Sequence, residues 1–103
     1  MTLVPSPAVD KALRKYREAA RWIARWRTTA EHAVWDSLAD VRKAYPSADG
    51  VKNSRGAIVT IFNVKGGNYR LLTVINYSGA AVYEIDLLSH SDYDKNAWKE
   101  WLT

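Results

Sequence analysis

The stretch between residues 58 and 88, IVTIFNV-KGGN-YRLLTVINY-SGA-AVYEIDLL, decides the fold class of this protein. Three segments in it, 58–64, 69–77 and 81–88, are dense in β-branched and aromatic residues, and the short connections between them contain glycine, serine or asparagine. β-branched and aromatic side chains favour strands, and short glycine-containing connections favour hairpins. The stretch therefore predicts an antiparallel meander of three strands.

A first helix is predicted upstream of this meander. Ser6 has the properties of an N-cap, Pro7 suits the first helical position, and the helical pattern continues to Arg27. Apolar and basic residues each recur with the helical period along this segment, so they lie on opposite sides of the helix. The apolar side consists of Leu13, Tyr16, Ala20 and Ile23, and the basic side consists of Arg14, Arg17, Arg21 and Arg25.

A second helix is predicted to follow directly. Thr28 and Glu31 have the spacing of a capping box, and Pro46 is expected to end the helix. Its apolar stripe recurs at intervals of four, three and four residues. The stripe consists of Val34, Leu38, Val41 and Tyr45. A loop rich in serine, aspartate, glycine and asparagine then leads into the meander.

The two ends of the chain add smaller elements. Ser89 or Ser91 is expected to cap a short final helix, and residues 2–4 are a candidate edge strand. The final helix carries Trp98, Trp101 and Leu102. These elements predict one α+β domain, residues 1–103, with the two N-terminal helices packed on one face of a three- to four-stranded antiparallel sheet. The other face of the sheet is expected to be open.

Composition limits the class of protein. The chain of 103 residues has a net charge of +4, and nine of its fifteen cations lie before Pro46, so the N-terminal half is the electropositive part. Such a surface attracts phosphate backbones, although it also suits a merely solvated helix face. No cysteine is present and no secretory signal is recognisable at the N-terminus, so we expect a cytoplasmic protein without disulfides.

Metal and nucleotide chemistry find little support. His32 and His90 are the two histidines, and neither has a second ligand at a suitable spacing. Gly66 and Gly67 match no phosphate-binding fingerprint and suit a turn between strands. We therefore predict no metal site and no cofactor.

Several polar residues are expected to gather at one end of the sheet. The set comprises Lys65, Arg70, His90, Tyr93 and Lys95. Side chains of these types can cleave RNA without a metal, because one group accepts the proton of the ribose 2′-hydroxyl, a cation stabilises the phosphate, and an acid protonates the leaving 5′-oxygen. A capping or hydrogen-bonding role for a histidine at a strand end stays open at this point.

Two further sets of residues are candidates for binding. The candidate RNA-binding residues are Arg14, Arg17, Arg21, Arg25, Lys65 and Asn68. Trp22 and Trp35 lie off the apolar sides of their helices, which favours either a partner surface or peripheral packing. Tyr93, close to His90 in sequence, is the candidate for stacking on a base.

The segments 62–72, 74–77 and 89–95 together resemble the HigB-type toxins of bacterial type II toxin-antitoxin systems. They read FNVKGGNYRLL, VINY and SHSDYDK. The resemblance extends more loosely upstream through residues 44–49 and the two helices. It implies a RelE-like fold and a metal-independent endoribonuclease that cleaves mRNA, usually on the translating ribosome.

The resemblance also implies partners and residue roles. It implies a HigA-type helix-turn-helix antitoxin that inhibits the toxin and contacts operator DNA, so that the toxin reaches DNA only through the antitoxin. Carried onto this sequence, Arg70 would stabilise the phosphate and His90 would act as general base or acid. Tyr93 would stack on a base or orient a proton-transfer partner, with Lys95 close by.

Two positions differ from the family pattern. Asn68 stands where relatives often carry a lysine, with Lys65 before the glycines, and Ile85 stands where relatives tend to carry an arginine. The missing arginine motivates an alternative in which the domain, like ParE-type relatives, binds a protein target without cleaving RNA. A third hypothesis is an accessory domain whose basic helix binds RNA structurally.

Overall fold

A computed structural model describes residues 1–101 and places them in five helices and five strands. The strands are β1 Thr2–Val4, β2 Asp49–Lys52, β3 Ile58–Val64, β4 Tyr69–Asn76 and β5 Ala81–Ser89. The helices are α1 Pro7–Lys15, α2 Ala20–His32, α3 Leu38–Ala44, α4 His90–Asp94 and α5 Trp98–Trp101, with a 3-10 turn Arg17–Ala19 between the first two. None of these helices is both long enough and apolar enough to span a bilayer.

The strands form one sheet in the order β1-β5-β4-β3-β2. The predicted α+β class is confirmed, and the three strands of the meander lie within one residue of their predicted bounds. The predicted edge strand at residues 2–4 is present and pairs in parallel with β5, so the sheet is mixed. β2, in the segment predicted as a loop, pairs with β3 and brings the sheet to five strands.

The predicted first helix is interrupted at Tyr16, whose backbone is non-helical (φ −107°, ψ 66°). The residues around it are good helix formers, so local preference does not explain the break. Tertiary contacts do, because the Tyr16 ring packs 4.9 Å from the Tyr69 ring and the Tyr69 hydroxyl donates to Glu18. The sequence pattern predicts one continuous helix because these contacts come from β4 and leave no local signal.

The capping box predicted at Thr28 and Glu31 is wrong. α2 continues through both residues, and the Thr28 hydroxyl donates to the Ala24 carbonyl one turn earlier. Ile23, Trp26 and Ala30 are all buried, and this spacing keeps one apolar stripe on the sheet as far as the end of α2. The second predicted helix is therefore shorter and begins at Leu38.

The main core lies between the helices and one face of the sheet. Trp26 contacts Phe62 of β3 edge to face, with 5.2 Å between the ring centroids. Trp35, predicted as a partner-surface or peripheral residue, is 6% exposed and stacks on Phe62, whereas Val34, predicted as core, is 84% exposed. Both residues lie in the loop between α2 and α3. This loop is not helical, so the helical pattern predicts their burial the wrong way round.

The opposite face of the sheet, predicted to be open, is partly covered. Trp98 is fully buried there against Val59, Ile61 and Leu72. The predicted final helix is in fact two short helices, because Asn96 between them adopts a left-handed backbone (φ 59°). Of the residues predicted on that helix, Leu102 lies outside the described residues, as does the side chain of Trp101.

A buried ion pair fastens the helices to β5. Arg27 of α2 donates through Nε and Nη2 to the two carboxylate oxygens of Glu84, each at 2.8 Å, and its Nη2 also donates to Asp10 of α1 at 2.9 Å. The Glu84 side chain is 0% exposed and also accepts from the Ser6 amide. The hydrogen bonds to Glu84 have the largest effect on the pKa of Arg27 and raise it, and Asp10 raises it further. Partial burial of Arg27 acts in the opposite direction.

Asp86, two residues further along β5, is half-buried, and burial raises the pKa of its carboxyl, an effect that a hydrogen bond from the Leu87 amide opposes. Because the folded pKa lies above the unfolded one, the ionised carboxylate destabilises the fold, and stability is lost as the pH rises through that pKa. We expect Asp86→Asn to unfold at a higher temperature than the wild type at pH 7 and to show no such gain at pH 3. Equal gains at both pH values in thermal unfolding would contradict this assignment.

Candidate functional site

The candidate site lies at the end of the sheet where β3 turns into β4. Residues 65–68 form this turn, and Lys65, Gly66 and Gly67 all have positive φ, so the turn depends on glycine at two of its positions. The turn places Arg70 opposite Asn63 of β3 and Leu88 of β5. β5 then ends at Ser89, and α4 begins beside the turn, with the His90 amide donating to the Asn68 carbonyl at 3.0 Å.

Arg70 is held by the backbone of the same turn. Its Nη1 donates to the Gly67 carbonyl at 2.5 Å and to the Tyr69 carbonyl at 3.2 Å. Its guanidinium carbon lies 5.6 Å from the centre of the Tyr93 ring, which is a cation–π distance. Among residues 1–101, no protein acceptor is found for the Nε–H and one Nη2–H, so these donors can bind an anion.

His90 makes two side-chain contacts. Arg70 Nη2 lies 3.0 Å from Nδ1 of the imidazole, and the Asp94 carboxylate lies 3.1 Å from Nε2. The side chain of His90 is about half exposed, so substrate can approach it. Ser89 caps α4 by accepting from the Asp92 amide, which confirms one of the two serines predicted for this cap and fixes the helix that carries His90.

Tyr93 lies between Arg70 and the apolar cluster. Its ring stacks on Trp98 with 5.4 Å between centroids and 14° between planes. Burial raises the pKa of the Tyr93 hydroxyl, Asp49 and Asp94 raise it further, and Arg70 opposes them. The phenol is therefore neutral at physiological pH, and it can donate a hydrogen bond but cannot act as a phenolate base.

The other predicted catalytic residues lie apart from this group. Lys95 is exposed and pairs with Asp92 at 3.4 Å, and Lys65 points into a cleft on the other side of the turn. The structure thus brings together Arg70, His90 and Tyr93, and does not bring the two lysines into contact with them. In the described part of the chain, no three His, Asp or Glu side chains gather as a metal ion would require.

The cleft on the other side of the turn has a volume of about 540 Å³ and is basic. It is lined by Arg17, Glu18, Arg21, Trp22, Arg25 and Lys65. Arg14 does not line it, because the break at Tyr16 separates α1 from the residues that follow. Trp22, predicted to lie either on a partner surface or in peripheral packing, is partly buried against Tyr45 and forms one wall. Asn68 is exposed on the turn between the cleft and His90.

Sequence reasoning missed three residues of this region. Asp94 follows His90 at the helical spacing of four, a signal that was available in the sequence. Asp49 reaches the surroundings of Tyr93 only because β2 joins the sheet, and Trp98 reaches them only because Asn96 turns the chain back. Ile85, where relatives tend to have arginine, packs on the apolar cluster of this face instead of supplying a cation.

Comparison with known proteins identifies the family. Residues 19–96 match the family HigB_toxin, described as the RelE-like toxic component of a toxin-antitoxin system. The chain belongs to this family. The predicted resemblance to HigB-type toxins is thereby confirmed, together with the RelE-like α+β fold. No curated protein matches the chain.

Membership of HigB_toxin has two direct consequences. The protein is a toxin of a toxin-antitoxin system, and such a toxin has an antitoxin as its partner. The matched residues include Arg70, His90 and Tyr93 and leave out α1, so the candidate site lies within the family segment.

Proposed function

We propose that this HigB-family toxin is a metal-independent endoribonuclease that cleaves mRNA. The observation that supports the proposal most is the position of Arg70, whose guanidinium contacts both His90 and Tyr93 at an accessible end of the sheet. A fixed cation beside an imidazole is the combination that phosphodiester transfer needs, because negative charge develops on the phosphate while a proton is taken up.

The proposed reaction is attack of the ribose 2′-oxygen on the adjacent phosphorus. His90 accepts the 2′-hydroxyl proton, the new P–O bond forms, and the bond to the 5′-oxygen breaks. Arg70 binds the non-bridging phosphate oxygens through its Nε–H and Nη2–H donors, including the Nη2–H that faces His90 Nδ1 before the phosphate binds. Tyr93, neutral and stacked, donates a hydrogen bond or supports a base. The leaving 5′-oxygen takes a proton from water, because the exposed Lys95 pairs with Asp92 and lies apart from this group. The products are a 2′,3′-cyclic phosphate and a 5′-hydroxyl.

The basic cleft extends the proposed RNA-binding surface beyond the reacting phosphate. Lys65 and Asn68 lie on the turn between the two regions, so a strand bound at Arg70 and crossing the turn would reach Arg17, Arg21 and Arg25. The exposed part of Trp22 would be available for stacking, and Arg14 on α1 would act only as a more distant cation.

This path predicts a change in salt dependence. We expect the double substitution Arg21→Ala and Arg25→Ala to weaken binding of a non-cleavable single-stranded RNA. The log of the association constant should also fall less steeply with log salt, by about 0.7 in slope for each phosphate that the variant no longer neutralises. The control is Arg55→Ala, which removes a cation at the other end of β3. Unchanged slopes in fluorescence anisotropy titrations would show that the cleft does not bind phosphates.

We further propose the partners that the family resemblance implies. The antitoxin is of the HigA helix-turn-helix type, operator DNA is contacted through that antitoxin, and the substrate is mRNA on the ribosome in the cytoplasm. Co-purification with the product of the adjacent reading frame tests the first point. Cleavage assays with and without ribosomes test the last.

Primer extension after brief induction tests the proposed function. Discrete new 5′ ends, with 5′-hydroxyl termini, are expected for the wild type, and their loss is expected for His90→Ala and Tyr93→Ala. Intact transcripts together with DNA damage would overturn the nuclease proposal and support the alternative, a ParE-like toxin that binds a protein target. Absence of growth arrest without any neighbouring antitoxin gene would support the accessory RNA-binding domain.

A further inference from the structure

We infer that Asp94, to which the family motif gives no role, is the positioning residue that holds the imidazole of His90 ready for proton transfer. The inference rests on the proposed function, because it gives Asp94 a part in that reaction. It is carried by one chain of contacts, Arg70 Nη2 to His90 Nδ1 at 3.0 Å and His90 Nε2 to Asp94 Oδ2 at 3.1 Å.

The chemistry of the two partners fixes the proton on the ring. A guanidinium has only donors, so Nδ1 facing Arg70 must be the acceptor and carries no hydrogen. The single hydrogen of the neutral ring then lies on Nε2, which is 3.1 Å from the carboxylate of Asp94, a group that has only acceptors. Arg70 and Asp94 therefore select the same tautomer of His90 from opposite sides.

Binding of substrate would use this arrangement. When a phosphate takes the Nη2 donor of Arg70, the lone pair of Nδ1 is released toward the phosphate and its neighbouring 2′-hydroxyl. Asp94 still holds Nε2–H, so the ring keeps its orientation, and the carboxylate stabilises the imidazolium that forms when Nδ1 takes the proton. The same contact spans one turn of α4, whose first residue is His90 and whose last is Asp94.

The first test is spectroscopic and needs no catalysis. With ¹⁵N-labelled protein at a pH where the imidazole is neutral, two-bond ¹H–¹⁵N spectra should show the Nε2–H tautomer of His90 in the wild type. In an Arg70→Ala background, where Nδ1 no longer faces a donor, the Asp94 carboxylate should keep this tautomer, and so should Asp94→Asn, which retains an acceptor. Asp94→Ala in that background should mix in the Nδ1–H form. The matched control is Asp92→Asn, which removes a carboxylate from the same helix that pairs with Lys95 instead.

The second test is kinetic and uses RNA cleavage by the full chain. We expect Asp94→Ala to lower kcat at least about tenfold while KM changes less than about twofold, because the carboxylate acts on proton transfer and not on binding. Asp94→Asn should recover part of kcat, and Asp92→Asn should resemble the wild type. A tautomer that Asp94→Ala leaves unchanged in the Arg70→Ala background, or a wild-type kcat in Asp94→Ala, overturns the role of Asp94. A wild-type protein that cleaves no RNA overturns the proposed function itself.

Discussion

Replacing Arg70 by alanine should lower the rate of RNA cleavage by about 10²–10³-fold, the usual loss when one preorganised donor to a developing oxyanion is removed. Arg70 is preorganised because the Gly67 and Tyr69 carbonyls hold one edge of its guanidinium and the Tyr93 ring lies beneath it. Single-turnover cleavage of a short RNA by purified protein measures the effect directly.

Two comparisons separate catalysis from folding in this experiment. Arg70→Lys keeps the charge but loses the planar set of donors, so we expect a loss of activity close to that of alanine. Arg55→Ala, which removes an exposed cation far from the turn, should cleave at the wild-type rate. An Arg70→Ala protein that is folded by circular dichroism and cleaves within threefold of the wild type would show that the site is wrongly assigned.

Replacing Arg27 by methionine should lower the free energy of unfolding by about 3–5 kcal/mol, because it leaves the carboxylate of Glu84 buried without its cation. The Glu84 side chain is fully buried, and after the substitution its remaining described partner is the Ser6 amide. Domains of this size have total stabilities of about 5–15 kcal/mol, so this loss is a large part of the total. Urea unfolding monitored by tryptophan fluorescence gives the value.

The double substitution Arg27→Met and Glu84→Leu provides the control. It removes both charges and leaves apolar side chains of similar size, so most of the lost stability should return. The thermodynamic cycle then separates the cost of an unpaired carboxylate from the loss of packing. A loss below about 1 kcal/mol for Arg27→Met alone would mean that Glu84 gains enough solvent or another partner when the arginine is absent.

The meander was predictable because its information is local. Alternating and β-branched residues in 58–88, with glycine in the turns, specify strands whose partners are neighbours in sequence. The two edge strands differ in this respect. β1 is three residues long and pairs with β5 from the other end of the chain, and β2 forms from an Asp-Gly-containing segment that gains strand structure only by pairing with β3.

The candidate site also has residues that the sequence predicts and residues that only the tertiary structure reveals. Arg70, His90 and Tyr93 follow from residue type and from the family motif, and the hairpin and the cap of α4 bring them together. The sequence groups Lys65 with them because it precedes Arg70 by only five residues, but its left-handed backbone directs it into the arginine-lined cleft. Asp49 lies outside the predicted site because its approach to Tyr93 depends on a strand that the sequence does not predict.

By itself, the sequence determined the α+β class, the three central strands, the family and the residue types of the candidate site, since each depends on patterns shorter than about a dozen residues or on a motif. Only the tertiary structure decided where the first helix breaks, which tryptophans are buried and which carboxylate touches His90. These features depend on contacts between residues distant in the chain, such as Tyr16 with Tyr69 and Trp35 with Phe62, and such contacts outweigh local preferences because burial of aromatic surface exceeds helix propensity in free energy.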